Sequence, residues 1–191
     1  GLFGDHQSIA DQLHHRGYAV VDLGRARMQP LADRIRADLG AKFDLEAWRE
    51  AGGKASLRVQ DAWQQSEAVR ELALLPEIEA TLQRCWGRQP FAFQTLNFPV
   101  GTQQHLHSDA VHFHSEPPGF MCGVWVALED IHPDAGPLEY VPGSQRLPRW
   151  WTHLRLQIVQ SWPLLNGTQA NWVSLNPSTM LSGVGRGQGI R

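Results

Sequence analysis

The sequence predicts an α+β domain in which helices come first and short antiparallel strands follow. Three observations carry that expectation. Apolar residues recur at helical spacing up to about Gly87. After Gln89 the apolar period falls to two, and Pro- and Gly-centred turns then interrupt the chain at short intervals. Runs of helices followed by runs of strands are the pattern of an α+β architecture rather than of alternating βαβ units.

Ile9 and Leu13, closed by Gly17, predict a short helix, because glycine accepts the left-handed conformation that ends helices. Tyr18 to Leu23 (YAVVDL) reads as a strand. Met28, Leu31, Ile35 and Leu39 predict a second helix, with Pro30 in its early turn, where a missing N–H is tolerated. Ser66 is placed to cap a helix containing Val69 and Leu72, and Pro76 to start another that carries Ile78 and Leu82 and ends near Gly87. Beyond Gln89, Phe91, Phe93, Thr95 and Asn97 point one way while Ala92, Gln94, Leu96 and Phe98 point the other. Further strands are expected over Gln103–Asp109, Phe120–Leu128 and Leu138–Val141. Turns at Pro99–Gly101, Pro117–Pro118–Gly119, Pro133–Gly136 and Pro142–Gly143–Ser144 separate them.

Charge and cysteine content exclude several functional classes. The 191 residues carry 17 Lys and Arg against 19 Asp and Glu, so there is no basic excess to track a nucleic-acid backbone. Apolar runs fall far short of the roughly 20 residues that a membrane span needs. No charged-then-apolar N-terminal segment reads as a signal peptide, and the expected location is cytoplasmic. Cys85 and Cys122 form neither a disulfide framework nor a CxxC clip, which suits a reducing compartment.

The composition changes at the C-terminal end. All acidic residues lie at or before Glu139, and from Tyr140 onward five Arg are the only fixed charges. Trp150, Trp151, Trp162 and Trp172 crowd the same stretch, which ends in SGVGRGQGIR. The sequence therefore predicts a domain over residues 1–149 and a tail over 150–191 that lacks strand or helix periodicity.

Chemistry concentrates in QHLHSDAVHFH, residues 104–114. Residues two apart on a strand share a face, so His107 and Asp109 present an imidazole and a carboxylate to one point, with His105 on the same parity. Two His and one carboxylate on one face of an octahedral metal leave three positions open, the arrangement of non-haem Fe(II) oxygenases. The same spacing also suits a polar strand end with solvent-facing His.

The surrounding segment, FPVGTQQHLHSDAVHFHSEPPGFMCGVWVALEDIHPDAGPLEYVPGSQRLP, resembles the front half of the phytanoyl-CoA dioxygenase family core. The motifs that carry the resemblance are His107-x-Asp109, the strand with Trp125, Ala127, Leu128, Glu129 and Asp130, the Gly136–Pro137–Leu138 turn, and Val141–Pro142–Gly143–Ser144. GYAVVD near the start resembles the family's opening. The resemblance implies a double-stranded β-helix (a cupin-like jelly-roll) that binds Fe(II), takes 2-oxoglutarate as cosubstrate and O2, uses ascorbate as a reductant, and hydroxylates a small organic substrate. It implies iron ligation by His107 and Asp109, with Asn97 and Trp125 beside the cosubstrate. Ordinary core packing for Trp125 and a backbone-satisfied edge position for Asn97 are the competing readings. Phe93, Phe113, Phe120 and Trp125 suit an organic substrate pocket.

The second half departs from the family pattern. Gln145 stands where relatives often have His, and His153 is the one later His. Arg186 and Arg191 lie in a Gly-rich end unlike the strand that supplies the cosubstrate's Arg. About five strands are recognisable against eight in a closed jelly-roll, so the barrel is expected to be incomplete at its C-terminal end. The alternative function is a catalytically inactive or truncated jelly-roll acting in metal binding or association. A non-oxygenase cupin using His105 and His107 ranks lower, because the following Glu is missing, and a zinc hydrolase lower still, because no HExxH occurs.

Overall fold

The computed structural model describes residues 6–54, 57–101, 107–109, 115–117, 119–135, 137–147, 172–177 and 181–184. Its helices are α1 (His6–Arg16), α2 (Arg25–Leu39), α3 (Leu45–Glu50), α4 (Glu67–Ala73) and α5 (Pro76–Trp86). Its strands are β1 (Ala19–Asp22), β2 (Val59–Gln60), β3 (Leu96–Asn97), β4 (His107–Ser108), β5 (Cys122–Val126), β6 (Leu138–Tyr140), β7 (Trp172–Pro177) and β8 (Leu181–Val184). The α+β order read from the sequence holds.

The helix ends follow local chemistry. Gly17 (φ 83°) closes α1, its N–H donating to the Leu13 carbonyl at 3.0 Å. Ser66 caps α4 by accepting from the Val69 N–H at 3.2 Å, and Gly87 (φ 65°) ends α5. α3 was not foreseen; Asp44 caps it by accepting from the Ala47 N–H at 2.9 Å. One expectation needs correcting. α2 begins at Arg25, so Pro30 lies in its second turn and removes one backbone hydrogen bond there. Burial of Met28, Leu31, Ile35 and Leu39, each at most 6% exposed, outweighs that loss.

All strand pairs among the described residues are antiparallel. β1–β7–β5 form one sheet, β4–β8–β6 a second, and β2–β3 a separate ribbon. Ile9 and Leu13 of α1, the apolar stripe of α2, and Val69 and Ile78 form the core with Ala19, Val21 and Leu23. Cys122, Val126 and Leu128 pack against that core, so the helices cover one face of the first sheet.

Two expectations about strands are corrected. The alternation that begins at Phe91 is paired only at Leu96–Asn97, and Phe91 is 81% exposed. Its partner β2 is cut short because Asp61 enters the left-handed region (φ 53°) and the chain turns into a 3-10 turn at Ala62–Gln64. The expectation that residues beyond about 149 lack strand regularity fails at 172–177 and 181–184. β7 and β8 are the central strands of the two sheets. A strand with a neighbour on each edge is held by two hydrogen-bonded ladders and needs neither acidic residues nor polar alternation.

Candidate functional site

β4 pairs with β8 with His107 opposite Ser182. Ser108 is fully buried, whereas His107 on β4 and Asp109, one residue past its end, each leave the side chain about a quarter exposed (25% and 27%). His107 Nε2 stands 3.4 Å from Asp109 Oδ1. That exceeds a well-formed N–H···O bond. It matches the separation of about 3.0–3.4 Å expected for two donors sharing an edge of a coordination sphere with bonds of about 2.1 Å. An imidazole nitrogen and a carboxylate oxygen are the donor set that suits a divalent first-row metal. Among the described residues no group of three or more His, Cys, Asp or Glu gathers around one point.

Asn97 and Trp125 lie on other elements. Asn97 sits in the β2–β3 ribbon opposite Val59, and its Oδ1 is buried with no hydrogen-bond donor among the described residues. Trp125 sits on β5 opposite Ser174 and is half-buried. It shares a face with Gly123 and Ala127, the reverse of the face through which Cys122 and Val126 meet the helical core. The sequence-predicted residues thus come from three separate sheets, and His107 and Asp109 are the two brought together.

Gln145 belongs to a different task. Its Nε2 donates to the His14 carbonyl at 2.9 Å, and the Gly143 N–H donates to the Arg16 carbonyl at 2.8 Å, so the Pro142–Gly143–Ser144 turn caps the end of α1. His105, Phe113, Gly136, His153, Arg186 and Arg191 lie outside the described residues. Sequence reasoning missed the two-pronged ion pair of Arg25 with Asp130, which ties the start of α2 to the exit of β5. Nothing local announces a pair separated by that much chain.

An antiparallel two-sheet body with helices packed on one face is a fold seen in solved non-haem oxygenases. The epimerase SnoN from nogalamycin biosynthesis, described as non-heme and alpha ketoglutarate dependent, superposes with a TM-score of 0.64 at 22% identity, over 97% of this chain and 78% of its own. EctD from S. alaskensis, solved with bound Fe, superposes with a TM-score of 0.66 at 21% identity, over 93% of this chain and 70% of its own. The phytanoyl-CoA dioxygenase (PhyH) family model matches residues 13–162, and the chain belongs to that family. Mouse (Mus musculus) phytanoyl-CoA dioxygenase domain-containing protein 1 is 28% identical over 79 residues, which are 39% of this chain and 27% of the mouse protein. The chain thus spans about a quarter of the length of the curated relative it matches. No helix among the described residues is long and apolar enough to cross a membrane.

Proposed function

We propose that this chain is an Fe(II)- and 2-oxoglutarate-dependent dioxygenase that hydroxylates a small organic substrate in the cytoplasm. The observation that carries the reading is the 3.4 Å approach of His107 Nε2 to Asp109 Oδ1 on an open strand edge. In this reading His107, neutral, and Asp109, ionised, hold the metal. When bound, Fe(II), 2-oxoglutarate and O2 supply the oxidising chemistry, with ascorbate keeping the iron reduced. Asn97 fits a place beside the cosubstrate: its buried amide oxygen has no partner among the described residues, and a half-turn of that amide offers an N–H donor to a carboxylate at the same position. In this reading Trp125, half-buried on the face turned away from the helices, would stand beside the cosubstrate and help to exclude water. SnoN is also solved in complex with Fe3+ and alpha ketoglutarate, which supports the same pairing of metal and cosubstrate here.

The second reading, an inactive metal-binding jelly-roll, is favoured by the lack of a third ligand among the described residues. One experiment separates the two. Purified protein is titrated anaerobically with Fe(II), then supplied with ascorbate, 2-oxoglutarate and O2 while succinate is measured. Iron binding with succinate formation, both lost in His107→Ala, supports the oxygenase. Iron binding without succinate supports the second reading, and no iron binding sinks both.

A further inference from the structure

A cleft of about 290 Å3 lies between α4 and the extended segment that leads into β3, lined by Trp63, Arg70, Ala73, Leu74, Ala92 and Thr95 among others. The kink at Asp61 builds it. The Asp61 N–H donates to the Thr95 carbonyl at 2.8 Å, and its Oδ1 accepts from the Thr95 N–H at 3.3 Å. The chain turns there and sets Trp63 beside Thr95, its backbone N–H 3.4 Å from Thr95 Oγ1. Arg70, projecting from α4, lays its guanidinium 5.6 Å above the Trp63 ring. The carboxylate nearest to Arg70, that of Glu67, is 3.9 Å away and 76% exposed, too distant for a hydrogen bond. The guanidinium, on a side chain 47% exposed, thus lies over the ring while its N–H groups lack a close acceptor among the described residues.

We infer that this cleft binds a small aromatic carboxylate. A guanidinium grips a carboxylate through paired N–H donors, and the Trp63 face and the walls of Ala73, Leu74 and Ala92 suit a flat apolar body. The volume falls just under the usual range of ligand pockets, about 300 Å3 and upward, which limits the ligand to a single small ring. One further observation suits a ligand. Leu74 leaves 53% of its surface in water at the edge of the cleft. None of His107, Asp109, Asn97 or Trp125 lines the cleft, so this site stands independently of the proposed oxygenase centre.

The probe is benzoate, with benzyl alcohol as its uncharged counterpart, read by the eight indole N–H resonances of 15N-Trp-labelled full-length protein. The Trp63 resonance, assigned through Trp63→Phe, is expected to shift saturably with benzoate and not with benzyl alcohol. Arg70→Gln should weaken the titration by about tenfold or more. Leu74→Glu, at an exposed position, should do the same by placing a negative charge at the edge. Asp109→Ala should leave it unchanged, which separates this cleft from carboxylate capture at the candidate metal site. A Trp63 resonance that does not move, a shift retained in both Arg70→Gln and Leu74→Glu, or a shift lost in Asp109→Ala overturns the assignment.

Discussion

Replacing Asp109 with Ala removes a carboxylate whose one close basic partner among the described residues, His107, stands 3.4 Å away, beyond a well-formed hydrogen bond, so the fold loses little. Its unfolding free energy should change by no more than about 0.5 kcal/mol. Fe(II) affinity, read by anaerobic calorimetry, should fall by more than about tenfold, because one of two identified donors is gone. A comparably large loss of thermal stability would mean that Asp109 is structural. Cys85 gives a pH-dependent test. Burial against the helical core raises its thiol pKa above 9.0, because desolvation disfavours the thiolate. The folded chain holds that proton more tightly than the unfolded one. The resulting stabilisation is complete below pH 9 and declines as pH rises through the raised value. In a Cys122→Ser background, iodoacetamide should label folded Cys85 slowly at pH 7.5, with a rate that is still rising past pH 9. A rate already at its plateau near pH 8 would contradict the burial effect.

Helix ends were legible because they depend on neighbours in sequence. Ser66 three residues before Val69, Pro76 opening α5 and Gly87 closing it are local chemistry, and each is found where expected. Ser66 also donates to the Asp38 carboxylate, so Ser66→Ala should cost about 1–2 kcal/mol in urea unfolding. Gly87→Ala, forced to keep φ near 65°, should cost about 1 kcal/mol. The joint between α1 and the Pro142–Gly143–Ser144 turn was not legible. Gln145 meets His14 across most of the chain, and its role depends on that approach rather than on its neighbours. Gln145→Ala should cost about 1 kcal/mol while leaving iron binding untouched, as expected of a residue that joins elements.

The proximity of His107 and Asp109 was readable for the reason the caps were: residues two apart at a strand end need no tertiary information to lie side by side. β7 and β8 were not, because what makes them strands is the neighbours on either edge. Residue 175 meets both 19 and 124, and residue 182 meets both 107 and 140. β1 and β5 are joined only through β7 among the described pairings, as are β4 and β6 through β8. A chain ending at residue 171 should therefore lose both sheets while the α1–α5 cluster retains helical signal. Far-UV circular dichroism with little strand contribution, together with a broad thermal transition, is the expected result. A sharp cooperative transition would show that the tail is dispensable.

That central placement has a consequence for synthesis. β1, β4, β5 and β6 leave the ribosome well before the residues that bridge them, while the helical core, made largely of contacts within the first ninety residues, is already able to assemble. During that interval the strands present unpaired edges to neighbouring nascent chains on the same message, the condition under which strands pair with the wrong partner. Yield in cells should then depend on chaperones that cover nascent chains and on the pace of translation through residues 127–171, more than on the stability of the finished fold.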